Sequence, residues 1–193
     1  MNELNKPYEK YRWFFTSSGK LVMGGKSAEQ NEELMSKVGG SKGFVVMHTA
    51  APGSPFCIIK TPNKQDLQEV AVFTACFGQD WKRGKKESEV HIFESEQIKK
   101  AKGMKQGTFG ILGKPKNMKV KLELALDFQK GKLRALPISA AKKPIAKISP
   151  GNLTKDQASD KIAEIIKNEL CYPIKKDEIM AAIPSDKISI KAK

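Results

Sequence analysis

Tyr11-Arg12-Trp13-Phe14-Phe15-Thr16, then Ser17-Ser18-Gly19-Lys20, then Leu21-Val22-Met23 opens the stretch that decides the fold. The aromatic residues of the first run suit a strand, the Ser-Ser-Gly-Lys run suits a turn, and Leu21 to Met23 returns as the partner strand of a hairpin. Gly24-Gly25-Lys26-Ser27-Ala28-Glu29-Gln30-Asn31-Glu32 follows. Ser27 with Gln30 three residues later is a capping-box pattern: the serine oxygen accepts from the Gln30 N–H while the Gln30 side chain reaches back. A helix is therefore expected from Ser27 to Val38, with Ala28, Leu34, Met35 and Val38 toward the core and Gly39-Gly40 as its stop.

Gly24 and Gly25 then sit where a strand hands over to a helix N-terminus. Free N–H groups and the positive end of the helix dipole suit an anion there, and Lys26 adds a full charge, so phosphate is the natural guest. The plainer reading is a tight connection that uses glycine for its backbone freedom; the spacing fits neither a Walker A loop nor a dinucleotide fingerprint. Beyond the helix, Gly43 to His48 and Phe56 to Lys60 are short apolar runs separated by Pro52-Gly53-Ser54-Pro55. They read as adjacent strands buried on at least one face. His48 ends the first and Ser54 lies in the turn, so both can point into the groove that holds Lys26.

The ordered set Arg12-Trp13-Phe14, Ser17 with Gly19, Gly25-Lys26 with Asn31-Glu32, His48, and Gly53-Ser54-Pro55 before Ile58-Ile59-Lys60 resembles the NFACT-R domain of the ribosome-quality-control elongation factors, whose bacterial members were also labelled fibronectin-binding proteins. Ala71 to Trp81, Lys102-Gly103-Met104, Gly107-Thr108-Phe109, Ile111 and Gly113-Lys114 continue the pattern in order, so that it covers most of Tyr11 to Leu126. Ser27 stands where relatives usually carry an acidic residue. The larger relatives place NFACT-N, helix-hairpin-helix and coiled-coil segments before this domain, and the few residues before Tyr8 hold none of these, so the chain resembles a stand-alone, archaeal-type member. The resemblance implies an RNA-binding module, with transfer or ribosomal RNA as ligand. It carries Lys26, Asn31, His48 and Ser54 as site residues, to which Arg12, Trp13, Gly24, Gly25 and Lys60 of the same motifs are added.

Composition agrees with a polyanionic partner. The 193 residues carry 35 Lys and Arg against 21 Asp and Glu, a formal net charge of +14. That excess favours RNA, DNA or an acidic surface over a neutral ligand, although an evenly spread, solvated lysine coat is the bland alternative. With 39% hydrophobic residues the chain can bury one sizeable core. No apolar run approaches the roughly 20 residues of a membrane span, so a soluble, cytoplasmic protein with no membrane partner is expected. Cys57, Cys76 and Cys171 make neither a metal-ligand spacing nor an even disulfide set, and with only His48 and His91 no metal or other cofactor is expected.

The rest of the chain alternates elements with basic loops. Asp66 to Phe77 reads as a helix, followed by Trp81-Lys82-Arg83-Gly84-Lys85-Lys86, whose four cations beside a tryptophan suit phosphate contact with stacking; a buried Trp81 with a loose basic loop is the alternative. Glu89 to Glu94 and Thr108 to Leu112 read as strands, Gly113-Lys114-Pro115-Lys116 as a basic turn, and Lys119 to Leu126 as one half-buried strand by its clean alternation. Asp127 to Lys132 is a hairpin connection into Leu133 to Ile138. Composition shifts at Ser139 to Pro144, marking a boundary between an NFACT-R-like domain at 8–138 and a C-terminal α/β appendage at 139–193. There Ile145 to Ile148 is a strand turned by Pro150-Gly151, Thr154 with Gln157 is a second capping box, and Asp177 to Ile183 and Ile188 to Ile190 form a short helix and a last strand.

The expected class is α+β, a mostly antiparallel mixed sheet with packed helices and the small appendage. The expected function is non-catalytic binding of transfer or ribosomal RNA, linked to ribosome-associated quality control or translation. Trp13, Trp81 or His48 would stack on a base and Asn31 or Ser54 would bond to a ribose or base edge, while Lys82, Arg83, Lys85, Lys86, Lys114 and Lys116 enter on charge alone. The large ribosomal subunit, and a protein supplying NFACT-N functions, are the partners this reading implies. A ribosome-associated protein-binding adaptor with generic polyanion affinity is the alternative. An enzyme built on His48, Ser54 and Cys57 is the third class, and it lacks a carboxylate to orient the histidine.

Overall fold

The computed structural model describes residues 8–192. Among these, twelve strands and five α-helices form an α+β architecture in which every paired strand is antiparallel to its neighbour. The hairpin is Arg12–Phe15 (β1) with Leu21–Gly24 (β2), in the register Arg12 to Gly24 and Phe15 to Leu21. Ala28–Val38 (α1) follows, capped by the Ser27 side chain accepting from the Gln30 N–H. Phe44–Thr49 (β3) and Cys57–Lys60 (β4) pair with each other.

Lys64–Cys76 (α2) and Gln79–Lys82 (α3) lead into Glu87–Glu94 (β5). Two-residue strands Ile98–Lys99 (β6) and Gly110–Ile111 (β7) pair with each other, so the strand expected from Thr108 to Leu112 is reduced to its middle. Lys116–Lys121 (β8) completes a six-stranded sheet ordered β1-β2-β4-β3-β5-β8.

This sheet is covered on both faces, which is why β3 and β4 are continuous apolar runs rather than alternating ones. Val45, Met47, Cys57 and Ile59 pack on the side of α2, sharing a core with Val70 and Phe73. Phe44, Val46, Phe56 and Ile58 point the other way, against Leu34, Met35 and Val38 of α1.

The single strand expected from Lys119 to Leu126 is two strands in two sheets. After β8 the chain breaks at Leu122-Glu123 and re-enters as Leu124–Gln129 (β9), in a four-stranded sheet ordered β10-β9-β11-β12. Val120, Leu122, Leu124 and Leu126 all face one shared core, so the alternation continues through the break and conceals it. Lys130 and Gly131, both at positive φ (53° and 74°), make the tight hairpin turn into Lys132–Leu136 (β10), the backbone a type I′ turn demands. Ala146–Leu153 (β11) pairs with β9 and with Ile188–Ala192 (β12). Pro150-Gly151, expected to be a turn, lies inside β11 at a bulge, where the Gly151 N–H donates to the Lys187 carbonyl at 2.9 Å. The second sheet thus draws strands from both sides of Ile138.

Lys155–Leu170 (α4) carries the full Thr154–Gln157 capping box, and Lys176–Ala182 (α5) precedes β12. Ala158, Ile162 and Ile166 of α4 join the same core as the second sheet. No helix among the described residues is long and apolar enough to cross a membrane.

Candidate nucleic-acid interface

The ends of β1, β3 and α2, the N-terminus of α1, the turn before β4 and the loop before β7 enclose an open groove of about 640 Å³. Its wall holds four cations, Arg12, Lys26, Lys82 and Lys155, and no aspartate or glutamate among the described residues. None of the four forms a salt bridge among the described residues. The Arg12 guanidinium is half-buried, 4.5 Å over the Phe77 ring, and burial lowers its pKa. Lys155 is lowered by burial and then by Arg12, with Asp186 opposing. Lys26 keeps much of its surface in water, yet desolvation on its groove side, then the charges of Arg12, Arg134 and Lys132, lower it too. Cations that share one concavity without a salt bridge, with Arg12 repelling both Lys26 and Lys155, are a standing attraction for anions.

The turn that presents Lys26 is built around Gly25. A Cβ there would fall 2.1 Å from the Asn31 Oδ1 atom, so only glycine lets Asn31 close over the backbone. That oxygen in turn accepts from the Phe56 N–H at 3.1 Å, tying α1 to β4. The Gly25 N–H donates to the Phe56 carbonyl and the Lys26 N–H to the Gln30 Oε1. The phosphate cradle expected from the Gly24 and Gly25 N–H groups is corrected accordingly: protein acceptors occupy the Gly25 and Lys26 donors, and Gly24 packs against the Cys57 Sγ outside the groove lining. What this end of α1 offers an anion is the Lys26 side chain and the N–H groups of its first turn that no residue caps.

His48 stacks on Phe56 with ring centroids 4.4 Å apart and 27° between planes, and its Nδ1 is 2.7 Å from the Thr49 carbonyl. Burial lowers its pKa, so the ring is neutral at pH 7 and donates through Nδ1. Phe109 meets Phe56 edge-on at 5.3 Å, and Glu32 positions the loop before it by accepting from the Gly107 N–H (2.7 Å) and Lys100 (2.9 Å). Ser54 is buried, its Oγ accepting from the Thr49 N–H at 2.9 Å and donating to the Pro55 carbonyl. Asn31 and Ser54 both line the groove, but their side-chain oxygens are engaged in holding its wall. His48, Ser54 and Cys57 do not assemble into a relay: no hydrogen bond joins them, and burial pushes the Cys57 thiol up to about 12.

Eight residues expected at the site lie elsewhere or are neutralised. Trp13 is only 1% exposed, beneath Tyr8, Phe15 and the Arg134 guanidinium, and Trp81 is wholly buried, so neither can stack on a base. Over Trp13 the Arg134 guanidinium arrives from 121 positions away, a cover that the local sequence does not announce. Arg83 and Lys85 pair with Asp80 at 3.8 and 2.8 Å, which removes half of the expected Lys82 to Lys86 cluster. Lys60 is exposed beside Phe44, away from the groove, and Lys86, Lys114 and Lys116 are exposed outside its lining. Lys155 and Ser185, from α4 and the turn before β12, are lining residues that sequence reasoning missed. Their only local signal is the Thr154 capping box, which says nothing of the partner across the groove. Trp81→Phe is expected to leave RNA affinity within about twofold of the parent, measured by fluorescence anisotropy, because the ring is enclosed by protein.

The sequence model described as NFACT protein RNA binding domain matches residues 10–113. The archaeal Rqc2 homologue aRqcH of Methanocaldococcus jannaschii is 30% identical over an alignment covering 93% of this chain and 28% of that protein. Ribosome quality control complex subunit NEMF of Homo sapiens is 28% identical over 38% of this chain and 7% of its own length. Ribosome quality control complex subunit 2 of Schizosaccharomyces pombe is 39% identical over 31% of this chain and 6% of its own. The chain thus spans less than a third of the length of these curated relatives. Among solved structures, the C-terminal part of the fibronectin/fibrinogen-binding protein of Streptococcus suis shares the fold, with a TM-score of 0.52 at 23% identity over 57% of this chain and 44% of that one. The matched segment contains Arg12, Lys26 and Lys82; Lys155 and Ser185 lie beyond it.

Proposed function

Because this chain belongs to the family of NFACT protein RNA binding domains, we propose that it binds transfer or ribosomal RNA in ribosome-associated quality control, with the groove between α1, β4 and α4 as its phosphate-binding centre. One observation carries the assignment of the site: four cations share a concavity that contains no carboxylate among the described residues, whereas Arg83 and Lys85, also basic in sequence, are paired with Asp80. A groove of this kind gains from each phosphate twice, through direct attraction and through release of the cations' mutual repulsion. Lys86, Lys114 and Lys116 on the outer surface add sequence-independent attraction that steers RNA toward it. The chemistry asked of the chain is binding and positioning.

A salt series tests this. The affinity of the parent for transfer RNA should fall steeply between about 50 and 200 mM salt, and the Arg12→Ala/Lys26→Ala pair should lower both the affinity and the slope of log K against log salt by about 1 to 2. The Lys114→Ala/Lys116→Ala pair should cost less affinity at the same loss of charge. Equal losses from both pairs would mean that net charge, not the groove, binds RNA.

A further inference from the structure

Resting on that reading, we propose that the groove admits one unpaired nucleotide, its base against the His48–Phe56 stack and its phosphate between Arg12, Lys26 and Lys155, so that the protein selects single-stranded RNA, an end or a loop, over a continuous duplex. Depth is the first argument. Arg12 is half-buried and carries no carboxylate partner among the described residues. The phosphates of a duplex lie on its outer surface and reach rim cations such as Lys82, whereas a splayed-out nucleotide can follow the groove down to the guanidinium. The volume, about 640 Å³, is that of a site for a small ligand rather than of a flat electrostatic face.

The wall chemistry is the second. The stacked pair His48 and Phe56, with Phe109 set edge-on at 5.3 Å, places aromatic surface in the same concavity as the cations. A phosphate site alone needs no such surface; a base does, because every base has a π-face and gains by burying it. His48 is neutral, with Nδ1 held by the Thr49 carbonyl, so it presents an apolar face rather than another charge.

The third is that the pocket closes from two parts of the chain. Lys155 stands at the first position of α4, its N–H donating to Asp186 at 2.7 Å, and its side chain enters the groove opposite α1. Arg12, Lys26 and Lys155 all line this one groove, and the charge of Arg12 is felt by both lysines. Lys155 lies outside the residues that match the RNA-binding family. The C-terminal strand-and-helix segment thereby supplies a binding residue of the site itself, not merely a support behind the sheet.

The test uses the full chain, an unstructured RNA of about a dozen nucleotides, and the same RNA annealed into a blunt duplex, at several salt concentrations. The single strand should bind about tenfold more tightly than the duplex, the order of gain that stacking one base provides. Lys155→Ala should reduce single-strand affinity about tenfold and duplex affinity far less. Since the chain has only two histidines and both line the groove, imidazole proton resonances give a readout independent of affinity. Adenosine 5′-monophosphate should shift the His48 resonance by ring current, while inorganic phosphate should not. Equal affinity for single strand and duplex, with His48 unmoved and Lys155→Ala silent, would overturn the nucleotide pocket while leaving RNA binding intact. Failure of the parent to bind either RNA would sink the RNA-binding reading and the pocket with it.

Discussion

Asp66→Ala should lower the free energy of unfolding by about 3 to 4 kcal/mol, seen as a drop in the urea midpoint at unchanged m-value. Asp66 has no exposed surface, and its carboxylate accepts from the Ser18 hydroxyl (2.6 Å), the Lys20 ammonium (2.9 Å) and the Asn63 N–H (2.9 Å). It therefore locks the β1–β2 turn onto the start of α2 while closing the capping box of that helix. Truncation strands the buried donors, at about 1 to 3 kcal/mol for each that water cannot reach; Lys20, one-third exposed, recovers most of its share.

The same carboxyl predicts an acid limb. Burial pushes its pKa up, but the bonds from Ser18, the Asn63 N–H, Lys20 and Thr16 outweigh it and hold the group at about 2, below its ordinary 3.8. A folded pKa below the unfolded one means that the stabilisation is complete above about pH 4 and is lost as pH falls toward 2, about 2 kcal/mol in all. The parent should lose that increment across this window and Asp66→Ala should not. An identical acid limb in both proteins would place the loss in another group.

Gly25→Ala is the second large effect, expected at about 3 kcal/mol. The new methyl would lie 2.1 Å from the Asn31 Oδ1 and 2.8 Å from the Asn31 N–H nitrogen, closer than any real contact, so the amide must swing away. Overpacking costs about 1 to 3 kcal/mol, and the Phe56 N–H, which donates to that oxygen, loses its partner at a similar cost. Because the closest clash and the lost hydrogen bond both act through the Asn31 side chain, while the contact with its backbone nitrogen stays, Asn31→Ala should absorb part of the effect. In a double-mutant cycle read by urea unfolding, Gly25→Ala should cost about 1 kcal/mol less in an Asn31→Ala background. Full additivity would show that the glycine serves some other contact. RNA affinity should fall as well, since the turn that carries Lys26 and the wall that carries His48 and Phe56 are joined by this bond.

Much of the fold can be read from local chemistry. The Ser27 and Thr154 caps, the β1–β2 turn, the paired apolar runs of β3 and β4 and the α2 helix are each decided within about a dozen residues, by hydrogen bonds and periodicities that hold whatever the chain does elsewhere. The break between β8 and β9 is different. Two strands in different sheets can share one core, and then the inward-facing residues keep alternating through the crossing, so Val120 to Leu126 looks like one strand. Pro150-Gly151 misleads for a related reason, since a bulge uses the same residues as a turn.

At the candidate site, the ordered motifs around Arg12, Lys26, Asn31, His48 and Ser54 lead by sequence alone to one groove and to the RNA-binding family, because each motif carries its own turn or strand end and the set arrives in a recognisable order. Their division of labour was decided by tertiary packing: Asn31 and Ser54 hold the wall, Arg12 and Lys26 line the groove with no salt-bridge partner among the described residues, and His48 lies on Phe56. Which cations stay uncompensated was decided there too, since Lys85 and Lys155 are alike in sequence until Asp80 folds against one and the groove opens before the other. A lysine's type sets its charge; its free energy depends on what lies within a few ångströms, and for Lys155 those neighbours include Arg12, which stands 143 positions away in the chain and becomes a neighbour only when both sheets have closed on their common core.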